Sequence, residues 1–176
     1  MAKLTRIEHH DDFDSAQLPV ALLPAAAELF HAAALATDSR QFLARVLPLA
    51  LRLAAADGAS VISNESGQWR PIERVGAASP VPQELLAEAL DSERAAAQGA
   101  WSAAPLGRRG AIAEVLACHA SGAMATRTLD LVSGFSQVLA AALRAVRARQ
   151  QERQRIARLE AILQIAAQWK QTSAME

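Results

Sequence analysis

A chain of 176 residues, with 18 basic and 18 acidic side chains and 52% hydrophobic residues, has the size of one folded domain plus an appendage, which excludes intrinsic disorder. The balanced charge argues against a strongly basic nucleic-acid binder, and the single cysteine, Cys118, excludes an intramolecular disulfide framework or a multi-cysteine zinc site. Alanine occurs 42 times and tyrosine not at all, the composition of a helical protein packed with small side chains.

The neutrality hides a dipole. Residues 1–100 carry eight basic against 13 acidic side chains, and residues 101–176 carry ten against five. Six arginines of the positive part, Arg144, Arg147, Arg149, Arg153, Arg155 and Arg158, fall along one predicted helix and read as a solvated face. The polar, acidic residues 1–15 lack the basic start and apolar centre of a secretory signal. The apolar stretch 18–36 is broken by Pro19, Pro24, Glu28 and His31 and does not match a membrane span. A soluble, cytoplasmic protein that touches neither membrane nor nucleic acid is the expectation.

In chain order, Pro24 suits a first helical turn, and Leu29, Phe30, Ala33 and Ala36 recur at helical spacing, which predicts a helix over 24–36. Thr37 or Asp38 caps the next helix, from Ser39 to the stop at Asp57-Gly58, with Pro48 inside it expected to bend it. The period then changes. Residues 59–63 and 68–75 read as a β-hairpin around Asn64-Glu65-Ser66-Gly67, and Pro71 places the second strand at an edge or a bulge. Residues 81–97 are again helical, while 101–106 and 111–119 form a second hairpin around Gly107-Arg108-Arg109-Gly110. From about 125 to 169 no strong breaker occurs, which predicts one helix of roughly 65 Å, longer than a domain of this size needs. Ile156, Leu159, Leu163 and Ala166 along it keep a 3-4-3 spacing of coiled-coil type. The polar stretch 147–155 reads as its exit point from the body and as a soft joint.

The order helix, hairpin, helix, hairpin and long exit helix resembles a GAF domain. The residues that carry the resemblance are Gly58-Ala59-Ser60-Val61-Ile62, Trp101-Ser102-Ala103-Ala104-Pro105-Leu106 and Gly110-Ala111-Ile112-Ala113-Glu114-Val115-Leu116. It implies an α+β fold, an antiparallel sheet flanked by helices, with an N-terminal helix and a coiled-coil-type exit helix. The division expected is a polar, flexible segment over 1–23, a GAF-like body over 24–146, and an exit helix over 147–176 leading to a downstream module. Residues 155–163 with Trp169-Lys170-Gln171-Thr172 also look like the connecting helix of tandem-GAF regulators, some of which act on sigma-54 RNA polymerase. Three departures stand out: Pro48, Glu114 where glycine is frequent, and a short connection between Val75 and Trp101 that leaves little chain for a pocket lid.

The role the resemblance implies is a non-enzymatic regulatory domain that forms a homodimer through terminal helices and relays a signal to an output domain, as in a transcriptional regulator. The residues expected at that interface are Leu29, Leu139, Leu143, Val146, Ile156, Leu159, Leu163 and Trp169. The alternative is a small-molecule sensor with Trp69, Trp101, His119, Ser121 and Thr126 around a pocket beside the sheet. No cofactor, metal site or catalytic residue is expected. Cys118 and His119 point to opposite faces of a strand and cannot act on one atom, and the GAF enzymes that reduce methionine sulfoxide use several cysteines. His9-His10-Asp11-Asp12 has metal-ligating atoms but no imposed geometry and reads as a solvated tail, and His31 as a core or half-exposed histidine.

Overall fold

A computed structural model describes residues 20–77, 79–122 and 126–173, with the side chains of 21 and 166–173 outside that description. His9-His10-Asp11-Asp12 and the side chain of Trp169 therefore lie outside the described residues. A 3-10 turn over Val20–Leu22 leads into α1, Leu23–Leu35. Pro24 stands in the first turn, where a missing N–H costs no helical bond. Leu22, expected in the polar leader, is fully buried, so the body begins before residue 24.

Helix α2, Ser39–Ala54, starts at Asp38. The Gln41 N–H donates to the Asp38 carboxylate at 2.9 Å, and the Thr37 N–H donates to Gln41 Oε1 at 2.8 Å, a reciprocal cap that satisfies donors at the helix start. The helix runs through Pro48, and the carbonyl that loses its donor, on Ala44, belongs to an exposed residue.

The sheet follows as β1, Gly58–Glu65, and β2, Gln68–Gly76; then come α3, Gln83–Asp91, and the strands β3, Ala96–Gln98, β4, Trp101–Arg109, and β5, Ile112–His119. All neighbours are antiparallel in the order β2-β1-β5-β4-β3, which puts β5 at the centre. Pro71 is on the edge strand, beside a register shift opposite Val61 and Ile62. The strand β3 replaces the expected end of the preceding helix. That helix stops at Asp91, Glu93 takes a left-handed φ of 53°, and the edge of β4 supplies backbone partners to Ala96–Gln98. Pairing along an open edge outweighs the helix preference of three alanines.

Strand β5 shows why the sheet has two cores. Leu116 and Cys118 face α1, α2 and the final helix, among Phe42, Leu43, Leu139 and Leu143. Ala113, Val115 and Ala117 face α3 and its Leu85, Leu86 and Leu90.

The last helix, α4, spans Thr126–Ser173, about 72 Å for its 48 residues. Its first part is apolar and long enough to cross a membrane, and more than half of that window is buried in the fold, against the sheet and α1 and α2. From 151 to 165 every residue is exposed.

Candidate functional site

The five residues expected around a pocket are only partly brought together. Trp101 and His119 are register partners on β4 and β5, with ring centroids 4.7 Å apart and tilted by 55°. Trp69 packs on the same α3-facing core as Trp101. Ser121 is exposed just after β5, and its hydroxyl donates to the carboxylate of Asp57, closing the loops at that end of the sheet. Thr126 is exposed at the start of α4. Five cavities of about 250–760 Å³ among the described residues are lined by other side chains. The physical reason is packing: Leu85, Leu86 and Leu90 of α3 rest directly on Ala103, Ala113 and Ala117, and small strand residues let the helix close onto the sheet. Two buried polar atoms, Ser102 Oγ and His119 Nδ1, have no hydrogen-bond partner among the described residues.

Cys118 lies on the opposite face from His119, as strand alternation requires. Burial pushes its thiol up to about 12, so at neutral pH it is protonated and a poor nucleophile. His31 is exposed beside the groove between α1 and α2.

The exit of α4 is the best-built polar feature. Arg147 Nη1 donates to Glu114 Oε2 and Nη2 donates to Oε1, both at 2.6 Å, with side chains only 15% and 8% exposed. This two-pronged, charge-assisted contact ties the central strand to α4. Two residues on, Arg149 donates to the carbonyls of Ala33 and, at 3.2 Å, Ala34, and further along Arg153 donates to that of Ala36 at 3.4 Å. Those carbonyls end α1, where cations are favoured both as donors and by the helix dipole. The stretch 147–155 is therefore fastened by three arginines, which corrects its reading as a soft joint. The ion pair was missed because its partners are 33 residues apart, although a lone carboxylate in an apolar strand signals a buried partner.

The expected interface residues divide. Leu29, Leu139, Leu143 and Val146 are fully buried in the chain's own core, at 0–1% exposure, and cannot face a partner. Ile156, Leu159 and Leu163 are exposed at 46%, 52% and 70%, together with Ile162 and Ile165. Trp169 continues the same helix. A second apolar stripe, Leu23, Ala27, Phe30 and Ala34, is exposed along α1 at near-heptad spacing.

No protein-family model and no curated protein matches the chain. Solved structures do. The GAF domain of a phosphoenolpyruvate-protein phosphotransferase from Coxiella burnetii aligns with a TM-score of 0.55 at 13% identity, over 73% of this chain and 95% of that one. The GAF domain of the Acinetobacter phosphoenolpyruvate-protein phosphotransferase gives 0.55 at 10% identity, over 74% and 96%. Free methionine-R-sulfoxide reductase from Neisseria meningitidis, in complex with its substrate, gives 0.59 at 12% identity, over 71% and 89%. At these identities the likeness is one of fold: the chain has the GAF-domain architecture, with an exit helix that runs on beyond the body.

Proposed function

From a GAF fold with this exit helix, we propose a non-enzymatic regulatory domain that pairs with a second copy through its terminal helices. Pairing relays a change in helix packing to a downstream output module, in a protein that regulates transcription. The observation that carries the reading is the bare apolar stripe Ile156, Leu159 and Leu163, more exposed than any monomer core would leave it and spaced for a coiled coil. The exposed stripe on α1 supplies further apolar surface for the same bundle.

A relay requires two arrangements of the helices and an input that binds them with different affinity. Helix α4 is suited to carry it, because Arg147 couples it to the central strand while residues 151–165 are exposed beyond that tie. One structural neighbour is an enzyme, but here the single thiol is buried and protonated, which favours a non-catalytic role.

Sedimentation equilibrium tests the pairing. At tens of micromolar the chain is expected at twice its 18.7 kDa mass, and the double substitution Leu159→Asp with Leu163→Asp returns it to the protomer mass with the sheet intact by circular dichroism. A strictly monomeric parent chain, or an unchanged mass in the double variant, contradicts the proposal.

A further inference from the structure

Strand β3 pairs only with residues 101–103, so from Ala104 onward that edge of β4 has no neighbouring strand. Between this edge, the α3–β3 connection and α4 lies a cavity of about 760 Å³. Leu90, Pro105 and Leu106 give it apolar walls, and three arginines from three separate segments open onto it: Arg94 from the connection, Arg108 from β4 and Arg144 from α4. None of the three forms an ion pair among the described residues, and the rim carries one carboxylate, Glu93.

Glu93, at the rim, holds the left-handed φ of 53° that follows the end of α3, and Arg94 is the next residue on the lining. Ser133 and Gln137, on the face of α4 turned to the cavity, add hydrogen-bonding groups next to Arg144. Three exposed guanidinium groups lining one cleft with a single carboxylate give it an excess of positive charge that favours an anion. Guanidinium recognises phosphate through paired N–H groups, and a cleft of about 760 Å³ with an apolar wall beside these polar groups has the size of a small-molecule site.

We infer that this cleft binds a small organic phosphate, its dianionic head held by Arg94, Arg108 and Arg144 and its apolar body against Leu90, Pro105 and Leu106. The inference goes beyond the relay reading and stands whether or not the exit helices pair. It places an input one helical turn from Arg147, on the helix that leaves the body.

The test is isothermal titration calorimetry with 1-naphthyl phosphate and with inorganic phosphate. Saturable binding of 1-naphthyl phosphate is expected, about ten-fold or more tighter than inorganic phosphate because the apolar body is also desolvated. Arg108→Gln with Arg144→Gln should weaken it about ten-fold or more, Arg94→Gln alone should weaken it less, and Arg158→Gln, outside the cleft on the same helix, should leave it unchanged. Absence of saturable binding below about 10 mM, equal affinity for the two probes, or equal affinity in the Arg94 and Arg108/Arg144 variants overturns the assignment.

Discussion

Residues 126–150 and 151–165 of α4 form one unbroken helix, yet every buried side chain of the described part of α4 belongs to the first stretch. Val132, Phe135, Leu139, Leu143 and Val146 fill the groove formed by α1, α2 and the sheet, whereas Ile156, Leu159 and Leu163 repeat the same apolar rhythm with nothing covering them among the described residues. Periodicity records an apolar face without saying what covers it. The exposed 15-residue stretch 151–165 would alone be a marginal helix in water, and it gains support from the anchored stretch before it. That support sits at the boundary of the two stretches, where Arg147, Arg149 and Arg153 are bonded to the sheet and to the end of α1.

A matched pair of truncations separates the two stretches by the largest margin. Leu139→Ala removes a fully buried side chain and should destabilise the fold by about 3 kcal/mol, while Leu159→Ala should leave the protomer's stability within about 0.5 kcal/mol and act on assembly instead. Urea denaturation at a concentration where the chain is monomeric separates the two effects, and equal losses would erase the distinction between the halves.

Next in size is the tie at the boundary. Glu114→Ala leaves Arg147 charged and largely buried, and should cost about 2–4 kcal/mol and loosen the exit of α4, whereas replacing both partners by apolar residues should recover most of the loss. A double-substitution cycle in urea checks this, and additive losses would show that the two side chains do not act as a pair.

The smallest effect sharpens the other end of the helical layer. The Asp38 carboxyl is held below its usual 3.8, first by the N–H of Gln41, with the N–H of Arg40 and the Thr37 hydroxyl adding to it. A depressed folded-state value means that the cap stabilises the native state above the unfolded value and is lost as pH falls through the folded one. The melting-temperature gap between the parent chain and Asp38→Ala should therefore be constant near neutrality and shrink below about pH 4. A gap unchanged at about pH 2.5 would assign the effect to something other than the carboxylate.

Much of the body was legible because its cues are local. Asp38 capped α2, the period changed at Gly58, and Pro71 fell on an edge strand beside a bulge, each from residues within a few positions of one another. The misses are tertiary. Strand β3 exists because β4 offers it an edge, and alanines alone read as helix. Leu29 on α1 and Leu139, Leu143 and Val146 on α4 read as facing a partner because an apolar helical stripe looks the same whether its own core or a second chain covers it. For the pocket, Trp101 and His119 did come together, but sequence could not show that the leucines of α3 would close onto the alanines of the sheet. The arginine-lined cleft draws on residues 14 and 36 positions apart, beyond any local motif.

Pairing of two copies would cover residues 156–165 of α4, which are exposed among the described residues of one chain. Hydrogen exchange of the peptide spanning 156–165, followed from about 1 µM to about 100 µM protein, tests it directly, because amide protection reports local opening. Exchange of this peptide is expected to slow with concentration while peptides covering 132–146 stay equally protected throughout. Exchange in 156–165 that does not depend on concentration would contradict it.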